Sequence, residues 1–255
     1  MEFNEGNAIV FHGSKLPLEK KEFTLNLDVG QDDAIVEITL STVCGSDLHT
    51  WLGYRPFPTP CILGHEMVGK ILHIGKNLTK DYTGQELKIG DKVVWSMTVG
   101  CGECFFCKKK LPQKCTNMFK YGHEKSDQRP HFTGGFAKYV YLKKGTNIFK
   151  VSPELSDEEV APLMCAASTI TSGLHYGNFQ KCDYVIVQGC GALGMYACAF
   201  TKQLGAKKVI AIDFNDNRLE LAKQFGADYT INPKNVRKNI IDEIMKITKN
   251  RGADV

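Results

Sequence analysis

The hydrophobic pattern of the chain changes character near residue 155. Before that point apolar residues come in short alternating or β-branched runs: Ala8–Phe11, Ala34–Leu40, Val68–Ile74 interrupted by Gly69, Val93–Trp95 behind a Gly90-Asp91 turn, and Phe136–Tyr141 behind Gly134-Gly135. Such runs, punctuated by glycine and without a convincing helical period, predict a small antiparallel barrel over roughly residues 1–100. Past residue 155 the period lengthens. Ser156 and Glu159 form a capping box that predicts a helix through about Tyr176, with Cys165 and Thr169 one turn apart on one face. Tyr184–Val187 then suits a buried parallel strand, Met195–Leu204 a helix, Lys208–Ile212 a second strand, Asn217–Phe225 a helix, Asp228–Ile231 a third strand and Asn235–Lys249 a third helix. This alternation predicts a doubly wound parallel sheet, with Gly252–Val255 standing where a fourth strand should begin. The expected organisation is therefore two domains, 1–155 and 156–255, the second truncated at its C-terminal side.

Composition changes this picture little. The 255 residues carry a formal charge of +4, too small to suggest nucleic acid. Bound as two zinc centres, the cysteines described below would bring that charge to about +2. No apolar run is long enough for a membrane-spanning helix, and residues 1–10 lack the pattern of a secretory signal. Ten cysteines without sign of export read as metal ligands and buried thiols in a cytoplasmic protein.

Two clusters carry candidate chemistry. Cys44, Ser46, Asp47 and His49 lie within about two dozen residues of Gly64-His65-Glu66. A thiolate, a hydroxyl, carboxylates and imidazoles are the parts of a catalytic zinc site, although a Cys and a His at this separation mean little alone. Cys101, Cys104 and Cys107, closed by Cys115, are far more specific. Four thiolates complete a tetrahedron around Zn²⁺ and leave no open position, so this lobe (about 101–115) is expected to be structural. Iron–sulfur clusters and nucleic-acid zinc ribbons also use cysteines, but with other spacings. Lys108–Lys110 and Lys114 beside the lobe read as a solvated face. His123, His131 and Glu124 could ligate a metal, yet read as exposed loop residues, and Cys165 by itself reads as a buried thiol.

A third signal follows the predicted strand at 184–187. Gly189, Gly191 and Gly194 form G-x-G-x-x-G at the start of a helix, and Asp213 ends the next strand. In that context the glycines admit a tight turn and a pyrophosphate at the helix N-terminus. A carboxylate at Asp213 would take the ribose hydroxyls and repel a 2′-phosphate, favouring NAD over NADP.

The order and spacing of these motifs, from about Ala8 to Val255, resemble the zinc-dependent medium-chain dehydrogenase/reductase (alcohol dehydrogenase) family. The resemblance implies a GroES-like barrel followed by a Rossmann domain, two Zn²⁺ per chain and NAD. It places the catalytic zinc on Cys44, His65 and Cys165, with Glu66 as an acidic neighbour able to coordinate transiently. It gives Asp47 the orientation of His65, and Ser46 and His49 a proton relay. Thr169 would lie beside the nicotinamide and Arg218 beside the adenosine ribose. The implied substrate is a small alcohol or aldehyde, and the full-length form would be a homo-oligomer.

Tyr54–Pro58 and the 111–124 region are similar to members associated with phosphonate catabolism; polyol, threonine-type and secondary alcohols stay open. A rival reading is a truncated, catalytically inactive fragment that acts only as a zinc-binding or interaction protein.

Overall fold

The alternating runs of the first half form strands, as their pattern predicts. In the computed structural model, which describes residues 3–235 and 239–255, these are β1 (Phe3–Phe11), β3 (Ala34–Thr42), β5 (Glu66–Ile74), β6 (Lys92–Trp95) and β9 (Tyr139–Leu142), joined by β2 (Glu19–Asn26), β4 (Cys61–Ile62), β7 (Thr98–Val99), β8 (Phe119–Lys120) and β10 (Ile148–Lys150) from stretches that carry no such run. They build an antiparallel sheet β2-β1-β4, another in the order β10-β6-β5-β3-β9, and the small pair β7-β8. The Ile9 N–H donates to Phe136 and the Lys138 N–H to Asn7, so the chain entering β9 links the two larger sheets. The barrel thus uses more chain than the first 100 residues: β9 pairs with β3 and β10 with β6. The open edges of β3 and β6 demand backbone partners, and these come from residues far along the sequence. Val36, Met67, Ile71, Val93, Trp95 and Val140 form the larger core of this unit, Met1–Cys165.

Two short helices in this unit were not visible in the pattern. Helix α1 (Gly45–Trp51) follows Cys44 directly, and α2 (Phe105–Lys108) lies within the cysteine lobe. Seven and four residues are too few to show a helical period. The expected helix from Ser156 to Tyr176 is broken. Ser156 and Glu159 do cap α3 (Asp157–Val160), reciprocally, at 3.2 and 2.7 Å. The chain then tightens into a 3₁₀ turn over Ala161–Met164, and Cys165 (φ −111°, ψ −70°) stands between that turn and α4 (Ala166–Tyr176). Pro162 has no N–H to carry the α-helical ladder forward. Cys165 and Thr169 are therefore not successive positions on one helix face.

In the second unit, Ala166–Val255, strands β11 (Tyr184–Gln188), β12 (Lys208–Ile212) and β13 (Tyr229–Ile231) pair in parallel in that order. Helices α5 (Ala192–Gln203) and α6 (Asp216–Gln224) connect them. Helix α7 (Ile240–Ile247) is shorter than expected: Pro233–Asn235 is a 3₁₀ turn, and residues 236–238 of the expected helix lie outside the described residues. On the other edge of β11, Ile186 donates to Val255 at 2.8 Å, and Asp254 donates to Tyr184 at 2.8 Å.

The turn between β11 and α5 depends on close approach. Gly189 has φ +94°, and a Cβ on Gly194 would collide with the Gly189 carbonyl oxygen; around Gly191 the space is open to 4 Å. Gly194→Ala should therefore destabilise the second unit by about 1–3 kcal/mol through overpacking. Gly191→Ala should cost no more than about 1 kcal/mol, the change of helix cap. Urea unfolding of both variants beside the parent checks the ordering.

Candidate functional site

The register of β3 on β5 brings the first cluster together. Thr42, the last residue of β3, lies opposite Glu66, the first of β5. Cys44 and His65 therefore leave the same end of the sheet, although 20 residues separate them in sequence. The 3₁₀ turn before α4 delivers Cys165 to the same place. The metal-binding atoms of Cys44, His65 and Cys165 lie within 4.8 Å of one another, with the two sulfurs 3.9 Å apart.

Asp47, itself buried, organises the group. One oxygen accepts the Cys44 N–H at 3.0 Å. The other accepts the Gly64 N–H at 3.4 Å and lies 3.2 Å from His65 Nδ1. The carboxylate thereby selects the Nδ1–H tautomer and turns Nε2 the other way, where Ser46 Oγ stands at 3.1 Å.

Hydrogen bonds from Cys165 and His65 pull the Cys44 thiol far below its usual range. The bond to Cys44, with burial, pushes Cys165 up. Burial opposes charge on His65, but Asp47 and then Cys44 outweigh it and raise the ring to about 9. Two sulfurs and an imidazole gathered this closely suit a divalent ion of borderline softness, with one tetrahedral position left open.

Glu66 stands outside this three-residue set. Burial raises its carboxyl, and its Oε2 accepts the Thr42 hydroxyl at 2.6 Å. His49 is exposed on α1 with its ring edge-on to Tyr54 at 6.0 Å; among the described residues no hydrogen bond joins it to Ser46.

Cys101, Cys104, Cys107 and Cys115 also gather within 4.8 Å. Backbone N–H groups point at their sulfurs: Cys101 and Asn117 to Cys115, both at 3.3 Å, and Cys104 to Cys101 at 3.4 Å. The two donors at Cys115 lower its thiol, toward the thiolate form that a metal needs.

In the second unit Gly189, Asp213 and Arg218 line one cavity of about 990 Å³. Asp213 accepts N–H bonds from Cys190 and Asn215, each at 2.8 Å, which lower its carboxyl. Arg218 Nη1 lies 3.8 Å away. The open space over Gly191 at the N-terminus of α5 suits the approach of a pyrophosphate. Thr169 is exposed on α4 and is not among the residues lining this cavity.

Sequence reasoning misplaced two histidines. His123 is 5 % exposed, with Nδ1 at 3.1 Å from the Tyr121 carbonyl and its ring 5.6 Å from that of His65. His131 stacks on Phe23 at 4.8 Å. Residues 116–134 show no periodicity, so no buried face could be read; only contacts with distant rings reveal it.

Comparison with known proteins agrees with this architecture. Residues 30–153 match the family model described as "Alcohol dehydrogenase GroES-like domain", and residues 192–255 that described as "Zinc-binding dehydrogenase". An alcohol dehydrogenase structure from Thermotoga maritima superposes with a TM-score of 0.90 at 34 % identity, covering 98 % of this chain and 69 % of that one. A structure titled as a short chain alcohol dehydrogenase from Escherichia coli, solved with NADH, has a TM-score of 0.80 at 25 % identity, over 96 % and 66 %. The zinc-type alcohol dehydrogenase B of Aspergillus flavus is 30 % identical over 98 % of this chain. The chain belongs to the zinc-dependent medium-chain dehydrogenase/reductase family, that of the alcohol dehydrogenases. It spans 57 % of the length of that fungal relative.

Freshly purified, chelator-free protein should contain two zinc ions per chain by metal analysis. Cys104→Ala should abolish folding, since structural zinc is worth on the order of 10–16 kcal/mol, whereas Cys44→Ala should retain one ion and the fold. A further expectation concerns His123, whose pKa burial lowers from 6.5 to about 4. Between those values the unfolded chain binds the proton and the folded one does not, so stability falls as pH drops through that window, by up to about 3 kcal/mol. Denaturant unfolding of the parent and His123→Gln at pH 7 and 4.5 checks this: the difference in slope belongs to the imidazole.

Proposed function

We propose that the protein containing this chain transfers a hydride between a small alcohol and NAD, reversibly with the aldehyde or ketone. The observation that carries the proposal is the three-donor set Cys44, His65 and Cys165, in a chain that also holds the G-x-G-x-x-G turn with Asp213. Zinc bound by these three residues would act as a Lewis acid on a substrate oxygen and ease loss of the alcohol proton. Asp47 fixes the His65 ring and the Cys44 backbone, so the donors are oriented before anything binds. Ser46, with its hydroxyl at the inner face of His65, is the first acceptor for the alcohol proton. His49, exposed three residues further along α1, is the group from which that proton reaches solvent.

The adenosine half of NAD would occupy the cavity of Gly189, Asp213 and Arg218, its pyrophosphate over Gly191. Asp213 keeps lone pairs for the ribose hydroxyls beside the two N–H bonds it accepts, and its negative charge disfavours a 2′-phosphate. Arg218 and Thr169 are proposed contacts of the ribose and the nicotinamide. The structural neighbour solved with NADH supports this choice of cofactor. Among the described residues no helix is long and apolar enough to cross a membrane, and none of the ten cysteines is paired in a disulfide. The reduced cysteines suit a cytoplasmic setting; assembly with copies of itself rests on family resemblance alone.

Steady-state kinetics of the full-length protein over a panel of alcohols tests the reading. NAD should be preferred over NADP, and Asp213→Gly should lower kcat/KM for NAD by roughly 10-fold or more, on the order of one lost charge-assisted hydrogen bond, while improving NADP. Equal or better use of NADP by the unmodified protein would contradict the assignment of Asp213.

A further inference from the structure

Asp47 ties together the segments that carry Cys44 and His65, but the third donor reaches the site from far along the chain. The Cys165 N–H closes its own 3₁₀ turn, on the Pro162 carbonyl. The residue before it makes the longer connection. Met164 Sδ accepts the backbone N–H of Met67 at 3.1 Å, across 97 residues of sequence. Met67 stands two positions past His65, in β5, so this bond joins the neighbours of two donors.

The sheet explains why that N–H meets a side chain. On one edge of β5 the partner is β3, with Ser41 opposite Met67. On the other, β6 is registered with β5 at Gly69 and Lys70 and stops short of Met67. Val160 and Ala161 pack on Val68, which seats the turn Ala161–Met164 against β5 where β6 has ended. Met67 and Met164 are both buried, in the core that also holds Trp95. A buried N–H is costly without an acceptor. The thioether is a weak one, but its unbranched, flexible stem fills the gap and brings the sulfur to the donor.

We propose that Met164 is a positioning residue for the three-donor site: its sulfur pins the start of β5 to the residue before Cys165, and so sets where the Cys165 thiol stands relative to Cys44 and His65. Asp47 aligns two donors; Met164 registers the third on them. Cys165 needs such a tie because it lies between the 3₁₀ turn and α4, outside the regular ladder of either. The proposal rests on the reading of the three donors as a metal site, and on the dehydrogenase reading only for its effect on turnover.

The test compares the full-length protein with two variants. Met164→Leu keeps the volume and removes the acceptor, and Met164→Gln supplies an oxygen acceptor at similar reach. In the parent the Met67 amide should exchange its hydrogen as slowly as the ladder amides of β5, and in Met164→Leu roughly 10-fold faster or more. Zinc affinity of the three-donor site, by chelator competition, should fall roughly 10-fold in Met164→Leu and recover in Met164→Gln. The four-cysteine zinc of the same chain should be held as in the parent. With Co²⁺ in the three-donor site, the visible bands should shift in Met164→Leu and return toward the parent in Met164→Gln. The kcat for an alcohol should follow the same order, with KM for NAD unchanged. A Met67 amide that exchanges freely in the parent overturns the proposal, whether or not either variant folds. So does a Met164→Leu protein whose zinc affinity and cobalt spectrum match the parent, or a Met164→Gln protein no better than Met164→Leu. Zinc affinity that follows the acceptor, in a protein that oxidises no alcohol, upholds the role of Met164 and overturns the dehydrogenase reading instead.

Discussion

The carboxylate of Asp47 holds the first unit's chemistry together. Buried among apolar strands, it would be costly unless every lone pair found a donor. It accepts the Cys44 N–H and the Gly64 N–H and lies 3.2 Å from the Nδ1 of His65. These belong to two different chain segments, the entrance of α1 and the entrance of β5. One charged group therefore stitches together the loop that supplies a sulfur and the loop that supplies a nitrogen. Its negative charge also favours a proton on the His65 ring, while hydrogen bonds from Cys165 and His65 make Cys44 the more acidic of the two thiols. Without it, the antiparallel register of β3 and β5 would still bring the segments near, but nothing would orient them.

The two candidate metal centres differ in how they are made. The four-cysteine lobe is local: fifteen residues wrap on themselves, with α2 and a 3₁₀ turn between ligands and backbone N–H groups aimed at the sulfurs. It closes its own coordination and leaves no room for a substrate. The three-donor site is assembled from residues 44, 65 and 165, which only the barrel register and the turn at Pro162 bring within reach. An open site needs a scaffold to keep its ligands from collapsing onto a closed tetrahedron, and widely spaced ligands provide it.

The nucleotide turn follows a third logic, that of close approach. Gly194 lets α5 pack on the turn, Gly189 takes a positive φ, and Gly191 keeps the space above the helix clear. Asp213 then spans from the end of β12 to the Cys190 N–H of that turn, so the acidic group and the glycines are one hydrogen-bonded piece. The edge of β11 opposite β12 is already engaged by the Asp254 and Val255 backbone.

Much of this was legible in the sequence because it is local. Short alternating or β-branched runs gave the main strands of the first unit and continuous apolar runs those of the second, the Ser156–Glu159 box gave its cap, and C-x-x-C-x-x-C and G-x-G-x-x-G announce geometry that a dozen residues can enforce. The resemblance to a family then named Cys44, His65 and Cys165 together, which spacing alone could not. Other features were decided only by tertiary structure. The barrel's completion by β9 and β10, the break at Cys165, the burial of His123 and its ring contact with His65 depend on partners distant in the chain. Short helices and aperiodic loops leave no periodic trace, since what fixes them is which surface they meet. A local pattern can specify an element; only packing specifies its neighbours.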